Sequence, residues 1–108
     1  MIIIRNNIIP FKGYKCINIC GILFARNNTI LDEYTINHEK IHTKEIIENF
    51  VISFYTLYCI FYIMNIIKYK NHKEAYRNIP FEREAYENEK DLNYLSKRTA
   101  YAWINYIN

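Results

Sequence analysis

Hydrophobic and polar positions alternate along this chain in changing rhythms. Residues 2–10 are isoleucine-rich, end in Pro10 and lead to Gly13, which predicts a short strand followed by a turn. "INICGILFA", residues 17–25, is apolar and partly β-branched, so it predicts a second strand. "RNNTILDEY" follows as a polar loop. From His38 to Glu48 the pattern suits a helix, with Thr35 or Asn37 as its cap and Glu39 near its positive end. Residues 49–67, "NFVISFYTLYCIFYIMNII", contain no charge, and Asn49, Ser53 and Thr56 share one helical face. Residues 68–80 read as a polar, basic connection ending in Asn78-Ile79-Pro80. Pro80 suits the first turn of a helix over "FEREAYENEKDLNYL". "TAYAWINYI" predicts a final short helix anchored by Trp103. The expected class is α+β, mostly α, with two N-terminal strands and about four helices in one domain spanning 1–108.

Composition narrows the function classes. With 51% hydrophobic residues, two glycines and two prolines in 108 positions, the chain has little room for disordered linkers. Net charge is +3 and the basic residues are mixed with acidic ones, so no nucleic-acid partner is expected. Three cysteines are an odd count. In a strand, Cys16 and Cys20 would lie about 13 Å apart, too far for a disulfide. Free, mostly buried thiols are therefore expected. The N-terminus lacks the layout of a signal peptide, which leaves a cytoplasmic or membrane-associated location as the expectation.

"TINHEKIH" carries the candidate chemistry. His38, Glu39 and His42 are spaced H-E-x-x-H. On a helix, positions i and i+4 lie on one face, so both imidazoles can aim at one metal ion. Catalytic zinc sites keep three protein ligands and leave one position to water. The metal acidifies that water, and a neighbouring glutamate takes its proton. Histidine pairs one turn apart also occur without metal, so a third ligand is needed. The candidates are His72, Glu82 and Glu84, followed by Asp32 and Glu74. His72 lies in a polar connection and reads as a surface residue. Glu82 is preferred, because Ala85 shares its helical face and a small side chain lets two helices approach to about 8–10 Å. Glu84 lies about 200° around the helix and would face away.

"HEKIH" followed by "FEREAYEN" resembles the gluzincin class of zinc metallopeptidases. Within it, the pair is most similar to the CaaX-prenyl-protease and heat-shock-protease group, whose third-ligand motif reads E-x-x-A-D. The resemblance rests on about fifteen residues, and the chain also looks like short bacterial zincin-like proteins. It implies a minimal zincin-like domain with Zn2+ held by His38, His42 and Glu82, and Glu39 as general base. It implies hydrolysis of a peptide or protein substrate. Tyr86 stands where the family pattern has an aspartate that supports a ligand histidine, and it cannot supply a carboxylate. Family members use a His or Tyr to stabilise the oxyanion, for which Tyr76, Tyr86 and Tyr101 are candidates. "GILFA" holds the place of the strand that pairs with substrate.

Two other functions fit the same residues. One is a non-catalytic zinc-binding module that serves a protein partner. The other is a small single-span membrane protein, since 49–67 is long enough to cross a bilayer. Tyr55, Tyr58 and Tyr62 sit mid-run, however, whereas membrane helices favour tyrosine at the interfaces. A single span would also place His38 and His42 on the opposite side from Glu82, so span and shared site exclude each other. The run is then a core helix or an in-plane helix with peripheral membrane association. A straight helix from His42 to Ile67 would be about 37 Å long. The connection from Lys68 to Pro80 reaches about 43–47 Å when fully extended. Closure therefore predicts a break near Asn49 to Ser53, with the apolar helix packed across the HExxH helix and its Tyr and Phe in the core.

Overall fold

Gly21 decides how the N-terminal quarter folds. In the computed structural model, which describes residues 1–107, Cys20 and Gly21 have φ of 53° and 91°. Two successive residues at positive φ form the tight turn that matches strand twist. The run 17–25, expected as one strand, is therefore a hairpin of β2 (Cys16–Ile19) and β3 (Ile22–Arg26), joined so that Ile19 pairs with Ile22. β1 (Ile3–Asn6) pairs with β3 in parallel, giving the sheet order β1-β3-β2. β3 is central, and its Leu23 and Ala25 are fully buried on one face.

α1 spans Glu33–Glu48. Asp32 caps it, its carboxylate accepting from the Thr35 amide at 2.7 Å. This replaces the expected cap at Thr35 or Asn37 and starts the helix a turn earlier. An aspartate at this position adds a favourable charge at the positive helix end. The buried face of α1 comprises Asn37, His38, Ile41, His42, Glu45 and Ile46. Four of these six are polar, which is uncommon inside a protein and marks a site rather than a simple packing face.

The break before the apolar helix falls where chain closure requires it. Asn49 ends α1, Phe50 and Val51 take φ of 58° and 61°, and α2 runs Ile52–Tyr69. Positive φ is costly for a β-branched residue, and the Val51 amide is held by the Ile46 carbonyl at 2.8 Å. α2 packs chiefly along α3 and meets α1 only near Ile46, a smaller overlap with α1 than expected. α3 (His72–Arg77) lies inside the stretch expected to be a connection, with Asn71 capping it by accepting from the Glu74 amide. The expected helix over 81–95 is two: α4 (Pro80–Asn88), with Pro80 in its first turn, and α5 (Tyr94–Lys97). Its interruption has a visible cause. The Asn37 side-chain amide donates to the carbonyls of Glu89 at 2.8 Å and Asp91 at 3.0 Å. A short 3-10 helix, Ala102–Tyr106, carries Trp103.

The apolar core gathers Ile46, Phe54, Ile79, Phe81 and Trp103. Phe81 sits 4.5 Å from Phe54 and 4.7 Å from Trp103, centroid to centroid, distances favourable for aromatic pairs. It holds α2, α4 and the C-terminal segment together beside the polar face of α1. The three cysteines are free as expected, but Cys20 and Cys59 are exposed and Cys16 half-buried. The hairpin turn lifts Cys20 out of the sheet, and Cys59 lies on the outer face of α2.

Candidate metal centre

α1 and α4 bring three ligating atoms together. His38 and His42 are one turn apart on α1, and Glu82 is in the first turn of α4. The two Nε2 atoms are 3.1 Å apart. Glu82 Oε1 lies 3.1 Å from His42 Nε2 and 3.4 Å from His38 Nε2. All three residues are buried. This group could hold a metal ion.

The opposite ring nitrogens explain why the Nε2 atoms converge. His42 Nδ1 lies 2.7 Å from Glu45 Oε1, and His38 Nδ1 lies 3.0 Å from Glu89 Oε1. In the tautomer that donates Nδ1–H to these carboxylates, each Nε2 lone pair is aimed inward, the arrangement found behind metal-bound histidines. Two lone pairs and a carboxylate oxygen within 3.4 Å repel one another unless a cation lies among them. A proton is one solution. Burial pushes the His42 pKa down, but Glu82 and then Glu45 outweigh it and raise it well above 6.5. A metal ion is the other. Burial also raises Glu82, yet His42 and the hydrogen bonds from both histidines hold it well below the usual carboxylate range.

The charge balance admits either cation: burial raises Glu45 well above its ordinary value, so that carboxyl can itself hold a proton, while Glu82 is held ionised. Glu82, Glu45, Glu89 and Glu39 surround the two histidines. Among the described residues no Lys or Arg pairs with any of them. Buried carboxylates without a fixed cation are costly unless protons or metal ions neutralise them. The N/N/O donor set with one carboxylate suits a divalent ion of borderline softness. Tyr58 donates to Glu82 Oε2 at 2.8 Å, which leaves Oε1 for the histidines.

Glu39 is half-buried and lines a cavity of about 330 Å³ together with His42, Glu82, Tyr58 and Tyr76. Burial raises its pKa, opposed by His42 and His38. The cavity's opposite wall is β2, at Cys16 to Asn18. The Asn18 side chain donates to the Glu39 carbonyl and the Thr43 hydroxyl, both at 3.0 Å, and so fastens β2 over α1. The expectation that "GILFA" pairs with substrate is overturned. Ile22–Ala25 lies in β3, which is bonded on both sides and has no free edge. β2 is the free edge beside the cavity. Cys16, on that edge, is pushed up to about 11, first by burial and then by Glu39.

The other candidate ligands lie elsewhere. His72 is exposed and pairs with the Tyr62 hydroxyl, Asp32 caps α1, and Glu74 is exposed on α3. Glu84 faces away from the histidines but is fully buried, bound to Arg98 at 2.5 Å and to Tyr94. Tyr101 donates to the Glu48 carbonyl at the far end of α1, which removes it as an oxyanion candidate. Tyr86 packs edge-on against the His38 ring, with centroids 4.5 Å apart, and its hydroxyl meets that of Tyr76. The carboxylates beside the outer ring nitrogens of the histidines are Glu45 and Glu89. Neither was read from the sequence, though both lie at helical spacing from a ligand: Glu45 at i+3 from His42, Glu89 at i+7 from Glu82. No protein-family model matches the chain, and no curated protein or solved structure matches it either.

Proposed function

We propose that the chain is a zinc-dependent peptidase with His38, His42 and Glu82 as the zinc ligands. The observation that carries this reading is the convergence of three buried ligating groups, with no Lys or Arg paired to them among the described residues, beside a cavity that Glu39 also lines. Zinc supplies Lewis-acid activation of a water molecule and of the scissile carbonyl. Glu39 takes the proton from the attacking water and returns it to the leaving amine. The free edge of β2 aligns an extended peptide backbone by strand addition. The hydroxyl of Tyr76, in the same cavity, donates to the developing oxyanion. Burial and the charge of Glu82 raise the Tyr76 pKa, which keeps that hydroxyl protonated as a donor.

The test is cleavage of an unbiased peptide library by zinc-loaded protein and by Glu39→Gln. The expected result is cleavage by the wild type only, with equal zinc content in both proteins. Equal cleavage by both removes Glu39 as the base. Full zinc occupancy with no cleavage by either assigns the site to a non-catalytic zinc-binding module.

A further inference from the structure

α2 has two unlike faces. Phe54, Tyr58 and Phe61 turn inward against Phe81 and Trp103. On the outer face Ile60, Ile63, Met64 and Ile67 are 47%, 58%, 58% and 70% exposed. Their i, i+3, i+4, i+7 spacing makes one continuous apolar stripe. Toward the helix N-terminus the same face turns polar at exposed Ser53 and Thr56, and Ile52 beyond them is 78% exposed. Scattered exposed isoleucines need no explanation, but four apolar side chains in one stripe over two helical turns do.

By length and composition α2 could cross a membrane. Two observations place it in the plane of one instead. α1, which precedes it, and α4, which follows after the short α3, meet at the His38, His42 and Glu82 cluster, so both ends of α2 lie on the same side of any bilayer. Its inner face is also committed to the protein core and is closed to lipid. What remains is a one-sided apolar helix, which suits the boundary between headgroups and acyl chains.

Charge selects the partner. From Asn49 to Lys73 the chain has no Asp or Glu, and Lys68, Lys70 and Lys73 follow directly on the stripe. All three lysines are exposed. A second copy of this chain would offer these lysines no carboxylate within the same segment. An anionic lipid surface meets both parts: acyl chains for the isoleucines and negative headgroups for the ammonium groups.

We propose that the outer face of α2 docks the protein on an anionic lipid surface, with Ile60, Ile63, Met64 and Ile67 at the acyl boundary and Lys68 and Lys70 at the headgroups. This holds whether or not the metal centre is catalytic. The test is flotation of the full chain with vesicles of phosphatidylcholine mixed with phosphatidylserine, compared with phosphatidylcholine alone. Wild type is expected to float with the mixed vesicles. Ile63→Ser/Ile67→Ser should lower partitioning at least about tenfold. Both positions are exposed, so circular dichroism should be unchanged. Lys68→Glu/Lys70→Glu should weaken binding to mixed vesicles and leave any binding to neutral ones. An environment-sensitive dye on Cys59, on the same outer face, should shift to the blue only with lipid. Failure of wild type to float, or flotation unaffected by the isoleucine changes, overturns the proposal. So does a wild-type dimer that the isoleucine variant abolishes without any lipid binding, which would assign the face to a second copy. Resistance to alkaline extraction from vesicles would assign a span and overturn it too.

Discussion

Glu82 and Glu84 stand two residues apart on α4, and both are buried. Helix geometry turns them to opposite sides, and the two sides solve the same charge problem differently. Glu84 meets Arg98, whose guanidinium also forms two hydrogen bonds with Glu48. That cation is covalently part of the fold and cannot leave. Burial would raise Glu84, but its hydrogen bond from Arg98 leads a set of contacts that lowers it. Glu82 meets two imidazoles, each tied by its other nitrogen to a carboxylate. Its counter-charge is exchangeable: a proton or a metal ion. One helix thus carries a structural carboxylate and a site carboxylate, and only their partners tell them apart.

Exchanging the two carboxylates for neutral groups should give opposite phenotypes. Glu82→Gln is expected to weaken zinc binding more than about 100-fold, beyond the usual loss from a supporting residue. Its fold should remain, because Gln still accepts from Tyr58. Glu84→Ala should keep full zinc stoichiometry but lose about 3 kcal/mol of stability by leaving a buried Arg98 short of a partner. Zinc titration and denaturant unfolding of both variants check this. The comparison collapses if Glu84→Ala loses zinc and Glu82→Gln loses stability.

Supporting carboxylates come next in size. Glu45→Gln and Glu89→Gln should each lower zinc affinity by about 10–100-fold without removing a ligand. Glu45 should cost more, since its side chain is 0% exposed and that of Glu89 is 23% exposed. Equal, negligible effects would mean that the Nδ1 contacts do not orient the rings. The smallest effect is in pH. His42 is raised above 6.5 in the folded chain, so folded protein holds a proton that unfolded protein releases as pH rises past that value. Chelator-treated protein should therefore lose stability as pH rises from about 6.5 through the folded pKa, by at most about 1.4 kcal/mol per pH unit. Zinc-loaded protein should show no such loss, and calorimetry in buffers of different ionisation heat should detect proton release on zinc binding. A chelated protein whose stability is flat or rises over that range contradicts the assignment.

What was legible in the sequence follows from the range of the interactions. The i, i+4 histidines, Pro80 at a helix start and the break at Asn49–Val51 are consequences of helix period, proline geometry and chain length. The hairpin at Cys20-Gly21 was hidden because the flanking residues form one unbroken apolar run. The end of α4 depends on Asn37, about fifty positions away, and no local pattern encodes that. Glu45 and Glu89 were legible in principle. They share helical faces with His42 and Glu82, but acidic residues at helical spacing are common on any amphipathic helix, and the pattern alone does not single these two out. Which strand has a free edge is a property of the sheet order, and a hydrophobic run cannot show it.

X-ray absorption at the zinc edge of the loaded protein tests the metal centre most directly. The His38, His42 and Glu82 site gives one zinc per chain, with N and O scatterers bonded at about 2.0–2.1 Å, more distant scattering from two imidazole rings and no sulfur. Sulfur at about 2.3 Å would place the metal on Cys16 or another thiol. That result, or zinc bound without imidazole, would contradict the site.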